Sequence, residues 1–155
     1  MAQIALVIFT VLVSTGSGQQ PCAAGKYNDQ IGLASEAGCK NCGAGKYGQN
    51  STGANAITSC TSCDPGKYLE LVGASGSESC EKCPLGTYQD KTGRAFCLPC
   101  ISGSYNNRIG MPECIECAIG RASTTIQREF QCEKCSKGQS QSKTGKTSCV
   151  ACAAG

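Results

Sequence analysis

The chain lacks the residues from which most hydrophobic cores and catalytic sites are built. Its 155 residues include no tryptophan and no histidine, and only 5% of them are aromatic. After the first twenty residues, few are Leu, Ile, Val or Phe. Burial of so little apolar surface cannot offset the roughly 1 to 2 kcal/mol per residue that backbone ordering costs. Without histidine or a convergent cluster of carboxylates, the sequence also has little from which to build an enzyme.

A concentrated charge of one sign is also absent. The 14 Lys and Arg residues and the 11 Asp and Glu residues give a formal net charge of +3, and they are spread along the chain without a run of like charge. Proteins that bind nucleic acids usually cluster their basic residues on one face. We therefore interpret the charged residues as solvated surface and expect no nucleic-acid partner.

Cysteine and glycine are the abundant residues, with 15 Cys and 20 Gly. Cysteine at this frequency in a short chain with few aliphatic residues indicates a disulfide scaffold. The cysteines recur with a period of about 17 to 21 residues, which is typical of a tandem repeat array. Each unit has a first cysteine, the opener, and a second, the closer, and a two-residue spacer (CxxC) separates each closer from the next opener. The openers are Cys22, Cys42, Cys63, Cys83, Cys100, Cys117, Cys135 and Cys152, and the closers are Cys39, Cys60, Cys80, Cys97, Cys114, Cys132 and Cys149.

Other residues recur at fixed places in each unit. A first glycine lies three residues after the opener, and in five units a tyrosine follows it by two residues; these pairs are Gly25 and Tyr27, Gly45 and Tyr47, Gly66 and Tyr68, Gly86 and Tyr88, and Gly103 and Tyr105. We expect the glycine to have a positive φ or to lie close to a neighbouring disulfide. The tyrosine ring suits a position across its own disulfide, with its hydroxyl toward solvent or a backbone group.

A second glycine marks a chain reversal later in most units. Unit six departs from the pattern, with Ala122 in the tyrosine place and Gln127 in the place of the second glycine. Its segment 123–130 predicts a helical turn, with Ile126 and Phe130 on one side. The stacking of unit six on its neighbours is therefore in question.

The first residues have the pattern of a secretory signal peptide. An apolar run from Ile4 to Val13 precedes small polar residues and is too short to span a bilayer of roughly 30 Å. We predict a signal peptide over residues 1–18 and the repeats over residues 19–155. The predicted units are 22–39, 42–60, 63–80, 83–97, 100–114, 117–132, 135–149 and a partial unit, 152–155. The protein is therefore expected to be secreted or on the cell surface, without a transmembrane span in this chain.

Three chemistries compete for the cysteines. Pairs of CxxC motifs with this spacing are compatible with zinc, but the secretory leader, the missing histidine and the continuous period argue against it. Redox catalysis needs one tuned thiolate and not seven similar copies. Structural disulfides remain, with no metal and no cofactor. The motif order favours pairing each opener with the next closer, which uses fourteen cysteines and leaves Cys152, although crossed pairings stay open.

The pattern Cys-x-x-Gly-x-Tyr, second glycine, Cys-x-x-Cys resembles the ephrin-receptor-like cysteine-rich repeat. It resembles more distantly the single-disulfide module of tumour-necrosis-factor-receptor ectodomains. The resemblance covers Cys22 to Gly155 and is clearest in the segments CDPGKY and CPLGTY. It implies a small disulfide-rich fold with short β-hairpins, in which seven single-disulfide loops form an elongated rod with opener-to-closer bonds. Such arrays occur in receptors, matrix proteins and surface proteins of single-celled eukaryotes, and the motif carries no catalytic residue.

The sequence thus favours a non-enzymatic secreted or cell-surface rod that acts as a spacer and binds an extracellular protein or glycan. The alternative is a structural subunit of an extracellular filament, coat or matrix, with self-association through the unpaired or intermolecular Cys152. Two further expectations follow. Asn50, in the sequon Asn50-Ser51-Thr52, is a candidate glycosylation site. The segment Cys152 to Gly155 repeats the opening of unit one, so we expect either a fragment of a longer array or a thiol that pairs between chains.

Overall fold

The computed structural model describes residues 22–28, 38–49 and 59–153. The predicted signal peptide, the sequon at Asn50, and Gly155 of the partial unit lie outside these ranges. The signal peptide, the glycosylation of Asn50 and the role of Gly155 in the repeat stay predictions.

The described residues form seven antiparallel two-stranded hairpins, one for each unit, and a short 3₁₀ helix over Ser77–Ser79. The strands are β1 (Lys26–Tyr27), β2 (Lys40–Asn41), β3 (Lys46–Gly48), β4 (Cys60–Ser62), β5 (Lys67–Tyr68), β6 (Glu81–Lys82), β7 (Thr87–Tyr88), β8 (Leu98–Pro99), β9 (Ser104–Tyr105), β10 (Ile115–Glu116), β11 (Arg121–Ala122), β12 (Glu133–Lys134), β13 (Gln139–Ser140) and β14 (Val150–Ala151). Each odd-numbered strand pairs with the strand that follows it.

Every hairpin is built in the same way, and unit four shows how. The backbone turns after Cys83, where the N–H of Thr87 donates to the carbonyl of Pro84 over 3.2 Å. Strand β7 then pairs with β8, which is the CxxC spacer, so that Tyr88 lies opposite Leu98. The N–H of Cys100 closes the hairpin by donating to the carbonyl of Gly86 over 2.8 Å. The spacer keeps two residues because it is the returning strand of the hairpin.

The disulfides join each opener to the next closer. The bonds are Cys22–Cys39, Cys42–Cys60, Cys63–Cys80, Cys83–Cys97, Cys100–Cys114, Cys117–Cys132 and Cys135–Cys149. Each closes a loop of similar size, and a loop of this size stabilises the fold by roughly 3 kcal/mol in the chain-entropy estimate. Covalent loops therefore replace most of the core.

Consecutive units are joined by backbone hydrogen bonds. The N–H of the first glycine donates to the residue after the tyrosine place in the following unit, as Gly66 donates to the carbonyl of Gln89 over 2.7 Å. The N–H of the second glycine donates back to the opener of the preceding unit, as Gly110 donates to Cys83 over 2.8 Å. Because both bonds use main-chain groups, these two bonds do not depend on the identity of the side chains in a unit.

Units two apart also touch, through their glycines. A Cβ atom on Gly66, in unit three, would overlap the backbone carbonyl of Gly110, in unit five. The same approach joins Gly25 to Gly73, Gly45 to Gly93 and Gly103 to Gly145. Both glycines have a positive φ, +79° for Gly66 and +74° for Gly110. The expected positive φ of the first glycine is present, and its close neighbour is a backbone two units away.

Unit six keeps this geometry without its second glycine. Gln127 has a φ of 51°, the only positive φ at a residue other than glycine in the described part of the chain. Its N–H donates to the carbonyl of Cys100 over 2.7 Å, as a second glycine would. The helical turn predicted for residues 123–130 does not form, because the segment is the arc that carries these stacking bonds. Unit six is therefore stacked in register with its neighbours.

The fold class is confirmed as a small disulfide-rich array of short hairpins, elongated because the connections run between units one or two apart. Its buried apolar residues are mostly cysteines, together with Leu69, Tyr105 and Ala122 among the described residues. One small cluster holds Cys63, Leu69 and Cys80.

We predict that Gly66→Ala destabilises the array far more than Gly120→Ala. Both glycines have a positive φ, but a Cβ on Gly120 meets nothing within 4 Å. The shared strain should cost about 1 kcal/mol, and the overlap with Gly110 should raise the cost at Gly66 to about 3 kcal/mol. Urea unfolding of the oxidised chain, followed by tyrosine fluorescence, measures the difference. Gly43→Ala, with open space and no positive φ, is the neutral control; equal losses at Gly66 and Gly120 would contradict the packing argument.

Candidate functional site

The repeated tyrosines lie in the first strand of each hairpin, and they pack toward the next unit. Tyr47 packs against the cluster that includes the disulfide of Cys63 and Cys80. Tyr105, only 8% exposed, lies in a cluster with Cys117 and Cys132. In both cases the disulfide belongs to the following unit and not to the tyrosine's own unit, which corrects the sequence-based expectation. The other tyrosines, Tyr27, Tyr68 and Tyr88, are half-buried. The tyrosines are thus part of the stack more than an exposed ladder for a ligand.

Tyr68 has a hydrogen-bond partner on the opposite strand. Its hydroxyl donates to Oε2 of Glu81 over 2.8 Å. This bond, and to a smaller extent burial and the negative charges of Glu81 and Glu70, raise the pKa of Tyr68 above its ordinary value of 10.0. The phenol therefore stays neutral at physiological pH.

A buried polar side chain follows the tyrosine place in several units. Gln89 is 1% exposed; its Nε2 donates to the carbonyl of Phe96, and its Oε1 accepts from the N–H of Lys91. Asn106 is fully buried; its Nδ2 donates to the carbonyl of Thr87 over 2.7 Å, and its Oδ1 accepts from the N–H of Arg108. These amides hold the arc of their own unit, and Asn106 also ties it to the preceding unit.

The burial of this place was not predicted from the sequence. The signal was a recurring amide directly after the tyrosine place, at Asn28, Gln89, Asn106 and Gln141. In an elongated array with much exposed surface, a polar residue is expected to be solvated unless a neighbouring unit is known to cover it.

We predict that Asn106→Ala lowers the free energy of unfolding by about 1 to 3 kcal/mol, because it leaves the buried carbonyl of Thr87 without its donor. The adjacent Asn107 is exposed, and Asn107→Ala should change stability by less than about 0.5 kcal/mol. Urea unfolding of the two oxidised variants makes the comparison. Equal effects would show that the buried amide contributes nothing specific.

Units four and five present apolar side chains to solvent. We name Tyr88, Phe96, Leu98 and Ile101 the apolar surface; Phe96 is 60% exposed and Ile101 is 73% exposed. Two shallow cavities flank it, one of about 200 Å³ beside Phe96 and Leu98 and one of about 260 Å³ beside Tyr88 and Ile101. They adjoin because Tyr88 and Leu98 are cross-strand partners. Asp90, Lys91, Arg94 and Glu116 line the cavities as well, so charged groups of both signs surround an apolar centre.

The fourteen other cysteines are bonded, and Cys152 is the free cysteine of the described residues and is exposed. Sulfurs in disulfides cannot act as the thiolate ligands that a zinc site of CxxC pairs would need. No cluster of metal-ligating side chains occurs in residues 22–28, 38–49 and 59–153. Within those same ranges, no helix is long and apolar enough to cross a membrane.

Comparison with known proteins supports the repeat assignment. Residues 52–95 and 70–103 match the family model described as tyrosine-protein kinase ephrin type A/B receptor-like. No curated protein matches the chain. The matched segments cover units three and four and parts of their neighbours, and the hairpin and disulfide of these units recur in the others. Such modules and so many disulfides indicate an extracellular protein. Residues 52–103 are therefore similar to ephrin-receptor-like repeats, and the seven consecutive disulfides of the chain fit a tandem cysteine-rich repeat array.

Proposed function

We propose that this protein is secreted or held at the cell surface, where its array is a rod-like spacer that presents a binding surface for an extracellular protein or a glycan. It has no enzymatic role in this proposal and uses no cofactor. Residues 1–18 direct its export as a signal peptide.

One observation carries the proposal. The units are stacked mainly by main-chain hydrogen bonds, such as the one from Gly66 to Gln89, and by the close approach of glycine backbones, while a disulfide closes each unit. The exposed side chains of the array are therefore free to serve recognition. The apolar surface suits this role, because the centre of a protein contact is typically apolar and ringed by polar groups. Phe96 and Ile101 are the exposed anchors of this surface.

The binding role is tested with the labelled, oxidised chain and intact cells of the source organism. We expect Phe96→Ser with Ile101→Ser to weaken binding by at least about tenfold, as the loss of two anchors does. The matched control is Ile126→Ser with Phe130→Ser, since these unit-six residues are 63% and 71% exposed but lie outside the apolar surface. Unchanged binding by the first pair, or equal losses by both, would refute this location. Periodate or trypsin treatment of the cells separates a glycan partner from a protein partner.

The spacer role is tested with the same preparation by deleting residues 83–99, which removes one unit and its spacer. Small-angle scattering should show a shorter particle with its remaining disulfides intact. A compact particle of unchanged dimensions would contradict a rod.

We propose further that Asn50 carries an N-linked glycan when the host glycosylates secreted proteins. The sequon is Asn50-Ser51-Thr52, in the arc of unit two. Glycosidase treatment should lower the mass of the secreted protein, and Asn50→Gln should produce the lower mass directly. A secreted protein whose mass does not change would exclude the modification.

The alternative function is a structural subunit of an extracellular filament, coat or matrix, and the exposed thiol of Cys152 favours it. In that case, a non-reducing gel should show covalent multimers that Cys152→Ser removes. Monomers that bind cells would favour the spacer and binding role.

A further inference from the structure

The repeated scaffold becomes exposed in units six and seven. The first glycines of units one to five are buried, whereas Gly120 is half-buried and Gly138 is exposed. The openers of the first six units are buried, whereas Cys135 is half-buried and Cys152 is exposed. In the earlier units, these places are covered by the arcs of the units one and two positions further on. We name Gly120, Cys135, Gly138, Gln141 and Cys152 the terminal face.

Three backbone groups of the terminal face have no partner among the described residues, although their equivalents in unit four do. In unit four, Gly86 corresponds to Gly138, and its N–H donates to the carbonyl of Asn106 over 2.8 Å. Gln89 corresponds to Gln141, and its N–H donates to the carbonyl of Met111 over 3.3 Å. The opener carbonyl is bonded there as well, as Cys83 accepts from the N–H of Gly110 over 2.8 Å. All three of these partners belong to unit five, which follows unit four.

Unit seven already has the conformation in which earlier units receive the next one. The N–H of Cys152 donates to the carbonyl of Gly138 over 2.8 Å, so this residue is held as the openers of units two to seven are held. The side chain of Gln141 bonds the carbonyl of Ser148 and the N–H of Lys143, as Gln89 bonds the corresponding groups of unit four. Open clefts of about 350 and 490 Å³ flank Cys135 and Gln139.

We propose that the terminal face is a docking surface for one further cysteine-rich repeat of the same type. It continues an interface that the molecule forms repeatedly between its own units. The occupant supplies a carbonyl for Gly138, an N–H from a turn with positive φ for Cys135, and a closer cysteine for Cys152.

The last step is an oxidation. The thiols of Cys152 and of the incoming closer lose two protons and two electrons and form one S–S bond. A disulfide oxidant of the secretory pathway takes them up and becomes two thiols.

The test extends the full chain after Gly155 with the sequence of Ser104–Cys114, which gives the partial unit the spacing of unit five. The matched control carries the same eleven added residues with the final cysteine kept and the others scrambled. We expect Cys152 to pair with the added closer, and the amides of Gly138 and Gln141 to exchange at least about tenfold more slowly. Gly120→Ala, tolerated in the 155-residue chain, should strongly destabilise the extended one.

Three results would overturn the proposal. The amides of Gly138 and Gln141 would exchange as fast in the extended chain as in the original. The scrambled extension would protect these two amides equally, which would show that binding at the terminal face does not depend on the repeat sequence. Protection in the unextended chain that rises with protein concentration would make a second copy the occupant.

Discussion

Backbone contact between glycines two units apart is the constraint on which the rest of the array depends. At the contact of Gly66 with Gly110, there is no room for a Cβ atom, so the main chains of units three and five lie against each other. The intervening unit is then fixed by hydrogen bonds to both sides, as Gln89 accepts from Gly66 and donates to Met111. Three consecutive units therefore form the smallest group in which every contact is made, which is longer than the nearest-neighbour coupling assumed for many repeat proteins.

Because the units contact each other largely through their main chains, many of their side chains can be substituted without loss of stacking. Unit six has lost its tyrosine and its second glycine, yet Gln127 takes a positive φ of 51° and donates to Cys100 as a glycine would. The strain at Gln127 is tolerable because the hydrogen bonds and the disulfide of Cys117 and Cys132 over-determine the arc. Insertions fall in the arcs and never in the two-residue spacer, since the spacer is a strand of the hairpin.

The sequence predicted the fold class and the tandem cysteine-rich repeat, because cysteine and glycine spacing reports directly on covalent loops and turns. Sequence-based prediction failed for side chains whose burial depends on contacts between units. Tyr47 and Tyr105 pack on the disulfide of the next unit, and Asn106 is buried with bonds to Thr87 of the preceding unit and Arg128 of the next one. No pattern within one unit contains this information. The apolar surface was missed as well, because its cavities adjoin only through the pairing of β7 with β8, which places Tyr88 opposite Leu98.

The placement of the disulfides also sets how the array behaves under tension. Each disulfide bypasses the arc of its unit. A pulling force therefore passes directly from opener to closer, across a Cα–Cα distance of about 5.7 Å at Cys83 and Cys97. It then crosses only the two spacer residues, or about 10 Å of chain at roughly 3.5 Å per residue step. Even fully unfolded, the oxidised chain can reach only about 16 Å per unit, against roughly 60 Å when it is reduced. The maximum reach of an oxidised array is therefore limited by its disulfides and set by how many units it contains.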